Sequence, residues 1–540
     1  MKSRHKRQVV ISGGGPVGMG LALELGRYGI QCTVIEKTPV IHRIPKGQNL
    51  TQRTLEHFRR WGIEKEIRRA RVLPDTFGIV GVTTFGSLTS GYAYRWHQRE
   101  LVRPYYSTDN ERLPQYETER VLRSKIATIK SLDYRFGCEV ESVDQDYSGV
   151  VVKVRHGNEG RVEQLTSDYL IGCDGTHSRV REQAGIELVE HDHEKRMVLL
   201  LFKSPKLTKV LEHYSGASYF NVLSAEQDGY WQFFGRIDLN HTYFFHMPVP
   251  SRAKLSDAEL KAIVAQAAGT DVDAKIEYAG YWDLRFATAM SFRSKRIFIA
   301  GDAAHSHPPY GGYGINLGLE DARNLGWKLA GVLSGWLDPA ILDTYTQERK
   351  PVFDSTADNF IARSISRDRS FVRNFDPARD KVAFEHEWEK RSNSTSDEIK
   401  SYSPNYGGSP IVYGPDGAES SALGLHSFEA RPGHHLSPQS LSSGDNACDV
   451  LSDGFSLLAF GDVEDDVEQL LRSASMLNIP LKVIRDSLSN GREKYENPLI
   501  IVRPDQFVAW AGHRVDGNAN EILQRLTGRS VQEIHLSRST

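Results

Sequence analysis

The chain has 540 residues, with 67 basic and 69 acidic side chains, a net charge of −2 and 39% hydrophobic residues. That length exceeds one ordinary core, so two or three domains are expected, and nothing in the balanced charge suggests nucleic acid as the main partner. No apolar run approaches a membrane span, the basic start MKSRHKR lacks a signal-peptide core, and Cys32, Cys138, Cys173 and Cys448 form neither a CxxC pair nor a metal cluster, so a cytoplasmic protein with reduced thiols is expected.

The first element, residues 9–36, reads VVISGGGPVGMGLALELGRYGIQCTVIE: an apolar strand, a glycine turn, a helix and a second strand ending in an acid. Gly13 permits the tight turn, Gly15 lets the backbone approach a pyrophosphate, and Gly18 lets the helix lie against the strand. Pro16 stands where a first-turn proline loses no hydrogen bond, and the free N–H groups after it point at phosphates. Glu36 follows at the distance where a carboxylate meets a ribose. Together these define a nucleotide-binding βαβ unit.

A basic, amide-rich loop follows with Arg43, Lys46, Gln48 and Arg53, then a helix over 51–61. The loop reads either as a solvated face or as a contact to a phosphate-bearing cofactor. Residues 73–106 are rich in Thr, Val, Tyr and Phe broken by glycines, which predicts strands. Helical spacing returns over 113–129, with Leu122, Ile126 and Ile129 on one face and Gln115 and Arg120 within reach of the nucleotide. Strands are predicted over 134–154.

Two more loops follow strands. In DYLIGCDGTHSRVRE, 168–182, a strand delivers Asp174 and Gly175 into a turn before a helix opened by Ser178 and Arg181. In RIFIAGDAAHSHPPYGGYGINLGLEDARNLGWKLAGVL, 296–333, a strand ends at Gly301 and Asp302 and a proline and glycine loop leads into an amphipathic helix. Asn316 and Asp321, early in that helix, are expected to meet free N–H groups. His305 and His307 resemble a metal pair, but Asp302 belongs to the nucleotide reading, so no metal is expected.

Taken in order, GGGPVG with Glu36, CDGTHSRVR and GDAAHSHPPYGGYGIN resemble the single-component flavoprotein aromatic hydroxylases, the family of p-hydroxybenzoate and phenol hydroxylases, over about residues 8–375. The resemblance implies an α/β protein: a discontinuous Rossmann-like FAD-binding domain (1–72, 107–184, 286–400) with an interleaved α+β substrate domain (73–106, 185–285). It implies that Gly13, Gly15, Pro16, Gly18 and Glu36 hold the adenine half of FAD, that Asp174 and Gly175 serve FAD and the nicotinamide donor, and that Gly301 and Asp302 serve the ribityl and pyrophosphate region. Pro309, Gly312, Gly314, Ile315 and Asn316 then lie beside the isoalloxazine, and Gln48, Gln115 and Arg120 contact the cofactor. Lys37 and Lys46 stand where the family often has arginine, and lysine lacks the bidentate fork.

By the same resemblance NADPH or NADH reduces FAD, O2 adds to the ring, and a flavin hydroperoxide passes one oxygen to a phenolic, electron-rich aromatic substrate. A base or proton relay is then needed near the ring. Tyr219, Asn221, Tyr230, Gln232, His246 and Asp283 are candidates by position and type. Baeyer–Villiger or epoxidising chemistry on a polyketide, and a non-catalytic flavin-binding redox sensor or docking protein, remain the alternatives.

Residues 401–440 are polar and turn-rich, a linker or a segment wrapping the first domain. A strand at 455–460, a helix at 463–477, a strand at 481–484 and a hairpin at 498–510 resemble the thioredoxin-like C-terminal domain (441–540) of the phenol hydroxylase branch. Cys448 stands alone, so a structural or homodimer-stabilising role is expected rather than thiol chemistry.

Overall fold

The computed structural model describes residues 6–96, 99–157, 160–250, 252, 254–515 and 518–529. The expectations for the first five residues and for 530–540 lie outside the described residues.

The apolar strand Lys6–Ser12 is central in a sheet whose parallel members are Arg161–Gly172 and Ile297–Ile299 on one side and Cys32–Glu36 and Leu132–Phe136 on the other. Val10 lies opposite both Leu170 and Thr33, so the three loops singled out above leave the same edge of one sheet. Helices Pro16–Arg27 and Tyr313–Leu333 cover one face, and a Cβ on Gly20 would come within 2.8 Å of Trp61 and 3.0 Å of Leu319. That spacing is available only because small residues line the contact.

The second sheet has eight strands, in the order His305–Ser306, Lys275–Ala289, Leu188–Lys203, Thr242–Pro250, Trp231–Arg236, Tyr219–Leu223, Gly81–Phe85 and Ala93–Trp96. Its strand alternation sorts the residues cleanly. Val198, Leu200, Phe220, Val222, Phe234 and Phe245 pack against Leu207, Leu211, Leu260 and Val264 of the covering helices. The opposite parity faces the first sheet and roofs a cavity.

Strands are expected through 73–106, yet Arg99–Tyr105 is a 3₁₀ helix. Pro104 removes a ladder donor, and Arg99 and Val102, one turn apart, both point inward. Among the described residues no helix is long and apolar enough to cross a membrane.

In the C-terminal part the strands run Leu481–Asp486, Phe455–Phe460, Leu499–Val502, Val508–Gly512, flanked by helices Glu464–Met476 and Ala519–Leu526, which is the thioredoxin-like order. Its core is continuous with the first: Phe455 meets Trp327 and Trp336 edge-on at 6.1 and 6.0 Å. The segment from 401 to 440 wraps the first domain, pairing Tyr402–Asn405 with Ser421–Leu423 and burying Tyr406 and Ile411 completely.

Charge, as well as apolar area, joins the parts. Arg503 makes two hydrogen bonds to Glu348, at 2.7 and 2.9 Å, and two to Asp505, at 3.0 and 2.6 Å; Lys328 reaches Glu348 at 2.7 Å, and all four side chains are fully buried. Trp327 donates to Asp505 at 3.0 Å, while Arg323 pairs with Glu24 and donates to the Pro504 carbonyl. Such a set is tolerable in a core because nearly every charge has a partner.

Candidate active site

A cavity of about 1030 Å³ runs between the two sheets, from Gly13, Gly14 and Gly15 past Asp174, Asp302 and Gly314 to the roof residues Asn221, Phe233 and His246. Its narrow end is shaped by backbone. Gly13 has φ +107°, and a Cβ there would lie 2.2 Å from the Cys173 carbonyl; a Cβ on Gly18 would lie 2.0 Å from the Gly13 carbonyl. Gly13 and Gly18 therefore set the turn, and Gly18 itself does not line the cavity. A Cβ on Gly15, Gly175 or Gly314 would meet no protein atom within 4 Å, because all three open into the cavity.

The Glu36 carboxylate is held by the N–H groups of Gly14 and Thr38, both at 2.7 Å, at the end of its strand. Lys37, Lys46, Gln48, Gln115, Pro16, Pro309, Gly312 and Ile315 all line the cavity. Gln48 accepts from Arg112 at 2.7 Å and leaves its buried amide nitrogen without a protein partner. Asp174 accepts from Ser178 at 2.5 Å and from the Val180 N–H at 3.2 Å; burial raises its pKa, as it does that of Asp302, whose carboxyl is open to the cavity.

Three further residues expected at the cofactor do not line this cavity. The Arg120 side chain is 55% exposed and pairs with Glu117 at 2.6 Å, one turn away from the cavity; Arg123, on the next turn, lines it. Asn316 lies behind the wall: its amide receives hydrogen bonds from the Thr51 N–H and the Thr54 hydroxyl and donates to the Asn49 and Gly312 carbonyls, which ties the helix start to its neighbour. Gly301 also acts from behind, donating its N–H to Asp321 at 3.0 Å. Asp321 is thus committed to Gly301, His305 (2.7 Å) and Arg349 (2.7 Å) rather than to its own helix start. Among the described residues no group of three or more His, Cys, Asp and Glu is placed to hold a metal.

At the wide end the register aligns Thr83, Asn221, Phe233, His246 and Leu199 in one cross-strand row on the roof. His246 is buried, with rings of Phe244, Trp282 and Phe233 at 5.0, 5.6 and 6.1 Å, and its Nε2 has no protein partner. Desolvation drives its pKa down to about 3, so the ring is neutral near pH 7. The Asn221 Oδ1 is likewise buried without a partner. Tyr219 lines the cavity beneath the Arg112 guanidinium, 4.9 Å from the ring centre, and burial raises its pKa.

Three catalytic candidates do not reach the cavity. Tyr230 has the parity opposite to Trp231 and packs behind Tyr310, with the Lys195 ammonium 4.4 Å over its ring. Asp283 is 73% exposed, pairs with Arg196 at 3.1 Å and lines a separate cavity of about 380 Å³. Gln232 shares the outward parity of its strand. Sequence reading passed over Trp231, Phe233 and Tyr310, which form the aromatic wall, with Trp231 and Tyr310 ring centres 3.9 Å apart.

A dinucleotide-type glycine turn that opens into a chamber walled by aromatic rings is the arrangement of an enzyme that uses a dinucleotide cofactor. The FAD binding domain family matches residues 6–360. The 4-methyl-5-nitrocatechol 5-monooxygenase of Burkholderia sp is 29% identical over 93% of both chains. A Streptomyces coelicolor relative named for polyketide hydroxylation is 32% identical over 67% of this chain, and the match spans 58% of that relative's length. The flavin-dependent monooxygenase PieE, solved with FAD and substrate, superimposes with a TM-score of 0.84 at 25% identity, over 97% of this chain and 99% of that one. The chain belongs to the FAD binding domain family, and its matched relatives include proteins named as monooxygenases and hydroxylases, one of them as FAD-dependent.

The residues present fit FAD. Glycine positions that admit a close ligand, the orphan Gln48 amide, the Asp302 carboxyl and the cations Lys37, Lys46 and Arg123 all lie along one continuous space.

Proposed function

We propose that the protein is an FAD-dependent monooxygenase that consumes NADPH or NADH and O2 to hydroxylate a phenolic or similarly electron-rich aromatic ring. The observation that carries this reading is the roof row, in which Asn221 and His246 flank Phe233 over the same enclosed space that begins at the Gly13 turn. Bound FAD supplies the activation of O2, which reacts poorly with closed-shell rings, using electrons from the nicotinamide.

The chain's own residues do the rest. Trp231, Phe233, Phe244, Trp282 and Tyr310 present flat faces that exclude water and hold an aromatic ring. Asn221 Oδ1 accepts the substrate hydroxyl and orients it, and the neutral His246 offers a second polar contact. The N–H groups of Gly314 and Ile315, in the first turn of helix Tyr313–Leu333, lie where they stabilise negative charge at that end of the cavity. Pro16, Glu36, Lys46 and Gln48 bind and orient the dinucleotide.

The proposal extends to a cytoplasmic location, favoured by four free thiols, and to a homodimer through the C-terminal domain, where Met476 is 71% exposed. Light scattering of the purified protein checks the dimer. The reaction is tested by screening phenols, resorcinols and hydroxybenzoates for accelerated NAD(P)H oxidation, with mass spectrometry of products formed under labelled O2. A ring carrying one labelled oxygen is the expected product. A labelled lactone or epoxide instead, or no stimulation by any phenol, overturns the reading.

A further inference from the structure

Behind the cavity wall lies a second, smaller cavity of about 80 Å³, bordered by the wrapping segment and lined among others by Arg99, Tyr106, Tyr313, Tyr402 and His426. Four arginines reach it. Arg53 is paired with Glu320 at 2.9 Å, Arg349 with Asp321 at 2.7 Å, and Arg431 donates to the Leu425 carbonyl at 2.6 Å with Glu429 3.8 Å away. Arg99 is different. It is 8% exposed, its Nε is enclosed without a partner, and among the described residues its guanidinium makes no ion pair and no hydrogen bond.

Of the groups lining this cavity, Tyr106, Tyr313, Tyr402 and His426 feel the Arg99 charge. None supplies a counter-charge. Burial raises all three phenols, Tyr402 to about 12, and lowers His426 to about 4, so each is neutral near pH 7. A guanidinium in such a place is costly unless something negative joins it, and a guanidinium cannot escape by losing its proton. The volume admits a small inorganic ion and is too small for a nucleotide or an aromatic acid.

We propose that this cavity is a binding site for a halide-sized monovalent anion, with Arg99 as its cation and the hydroxyls of Tyr106 and Tyr402 as further donors, the Tyr313 hydroxyl being already given to Glu398 at 2.7 Å. The site shares Tyr313 and Ile399 with the large cavity. The anion therefore sits against the back of the wall that starts helix Tyr313–Leu333, and it fastens the wrapping segment to the first domain.

The probe is bromide. Crystals of the FAD-loaded protein grown in sodium bromide are expected to show an anomalous peak in contact with the Arg99 guanidinium, and Arg99→Met crystals are expected to lack it. In solution, replacing gluconate by bromide at constant ionic strength is expected to raise the melting temperature of the FAD-loaded protein saturably, and Arg99→Met is expected to abolish that dependence. A merely structural arginine would change the melting temperature of the variant and leave the bromide response intact. Ordered water at Arg99 with no anomalous peak, or an equal bromide response in wild type and Arg99→Met, overturns the proposal.

Discussion

Gly15→Ala separates cofactor binding from folding more cleanly than any other change in the first turn. Gly15 precedes helix Pro16–Arg27 with φ −73° and ψ −177°, a conformation open to any residue, and a Cβ there meets nothing within 4 Å. Replacing glycine where the backbone allows it stabilises by about 0.4–1 kcal/mol through the unfolded chain, which roughly offsets the loss of glycine as helix cap. The melting temperature of the apoprotein is therefore expected to move little. The new methyl projects into the space assigned to the pyrophosphate, and overpacking of that order costs about 1–3 kcal/mol, so FAD affinity falls by about 5- to 140-fold. Gly18→Ala gives the contrast, because its Cβ would lie 2.0 Å from a backbone carbonyl and the fold itself suffers. Fluorescence titration of FAD into both apoproteins, alongside thermal melts, measures the two effects. Wild-type FAD affinity in Gly15→Ala, with its fold intact, would refute the placement of the cofactor.

Arg120→Ala is expected to leave FAD affinity within about twofold, whereas Arg123→Ala, which removes a cavity-lining cation, is expected to weaken it by about tenfold or more in the same titration. His246 and His307 have pKa values lowered from 6.5 to about 3 and about 4, so the unfolded chain binds protons that the folded one does not. Stability is accordingly full above pH 6.5 and falls as pH drops below it, by up to about 1.4 kcal/mol per unit for each ring, and melts of His246→Phe between pH 5 and 7 are expected to show the shallower slope. Arg503→Met leaves Glu348 and Asp505 buried with one cation fewer, and a loss of about 3–5 kcal/mol is expected from urea unfolding; a loss under 1 kcal/mol would show that the network contributes little to docking.

Much of the site is legible in the sequence because its signals are local. Gly13, Gly18 and Glu36 lie within one βαβ unit, and each is explained by atoms that the chain brings close within that unit or at the next strand end. Arg120 and Arg123 show where local reasoning stops: both fit the helix, and only the angle at which it meets the sheet decides that one faces solvent and the other the cavity. The roof shows it again. Alternation in GYWQFFGRI separates Tyr230, Gln232 and Phe234 from Trp231, Phe233 and Gly235, but either set could face inward until pairing with His246 fixes the parity. The charged network was invisible for a different reason, since Arg503 and its partner Glu348 are 155 residues apart and no periodicity links them.

The same distinction accounts for what the C-terminal part does. Its lone Cys448 is buried, with the thiol against the Leu436 carbonyl, and burial holds the thiol well above its usual pKa, so it is suited to packing and not to exchange. Its turn at Arg503 to Gln506 is instead inserted among side chains of helices Gln52–Arg60 and Tyr313–Leu333: Arg53 reaches Gln506 and the Asp505 carbonyl, both at 2.6 Å, and Trp327 reaches the Asp505 carboxylate. Helix Tyr313–Leu333 carries both Trp327 and, at its start, the Gly314 and Ile315 backbone that faces the cavity. A change at Arg503 is thus expected to reach FAD affinity through the seating of that helix, whereas Cys448→Ser is expected to leave both FAD binding and hydroxylation in place. Loss of hydroxylation in Cys448→Ser with FAD still bound would count against a structural role for the domain.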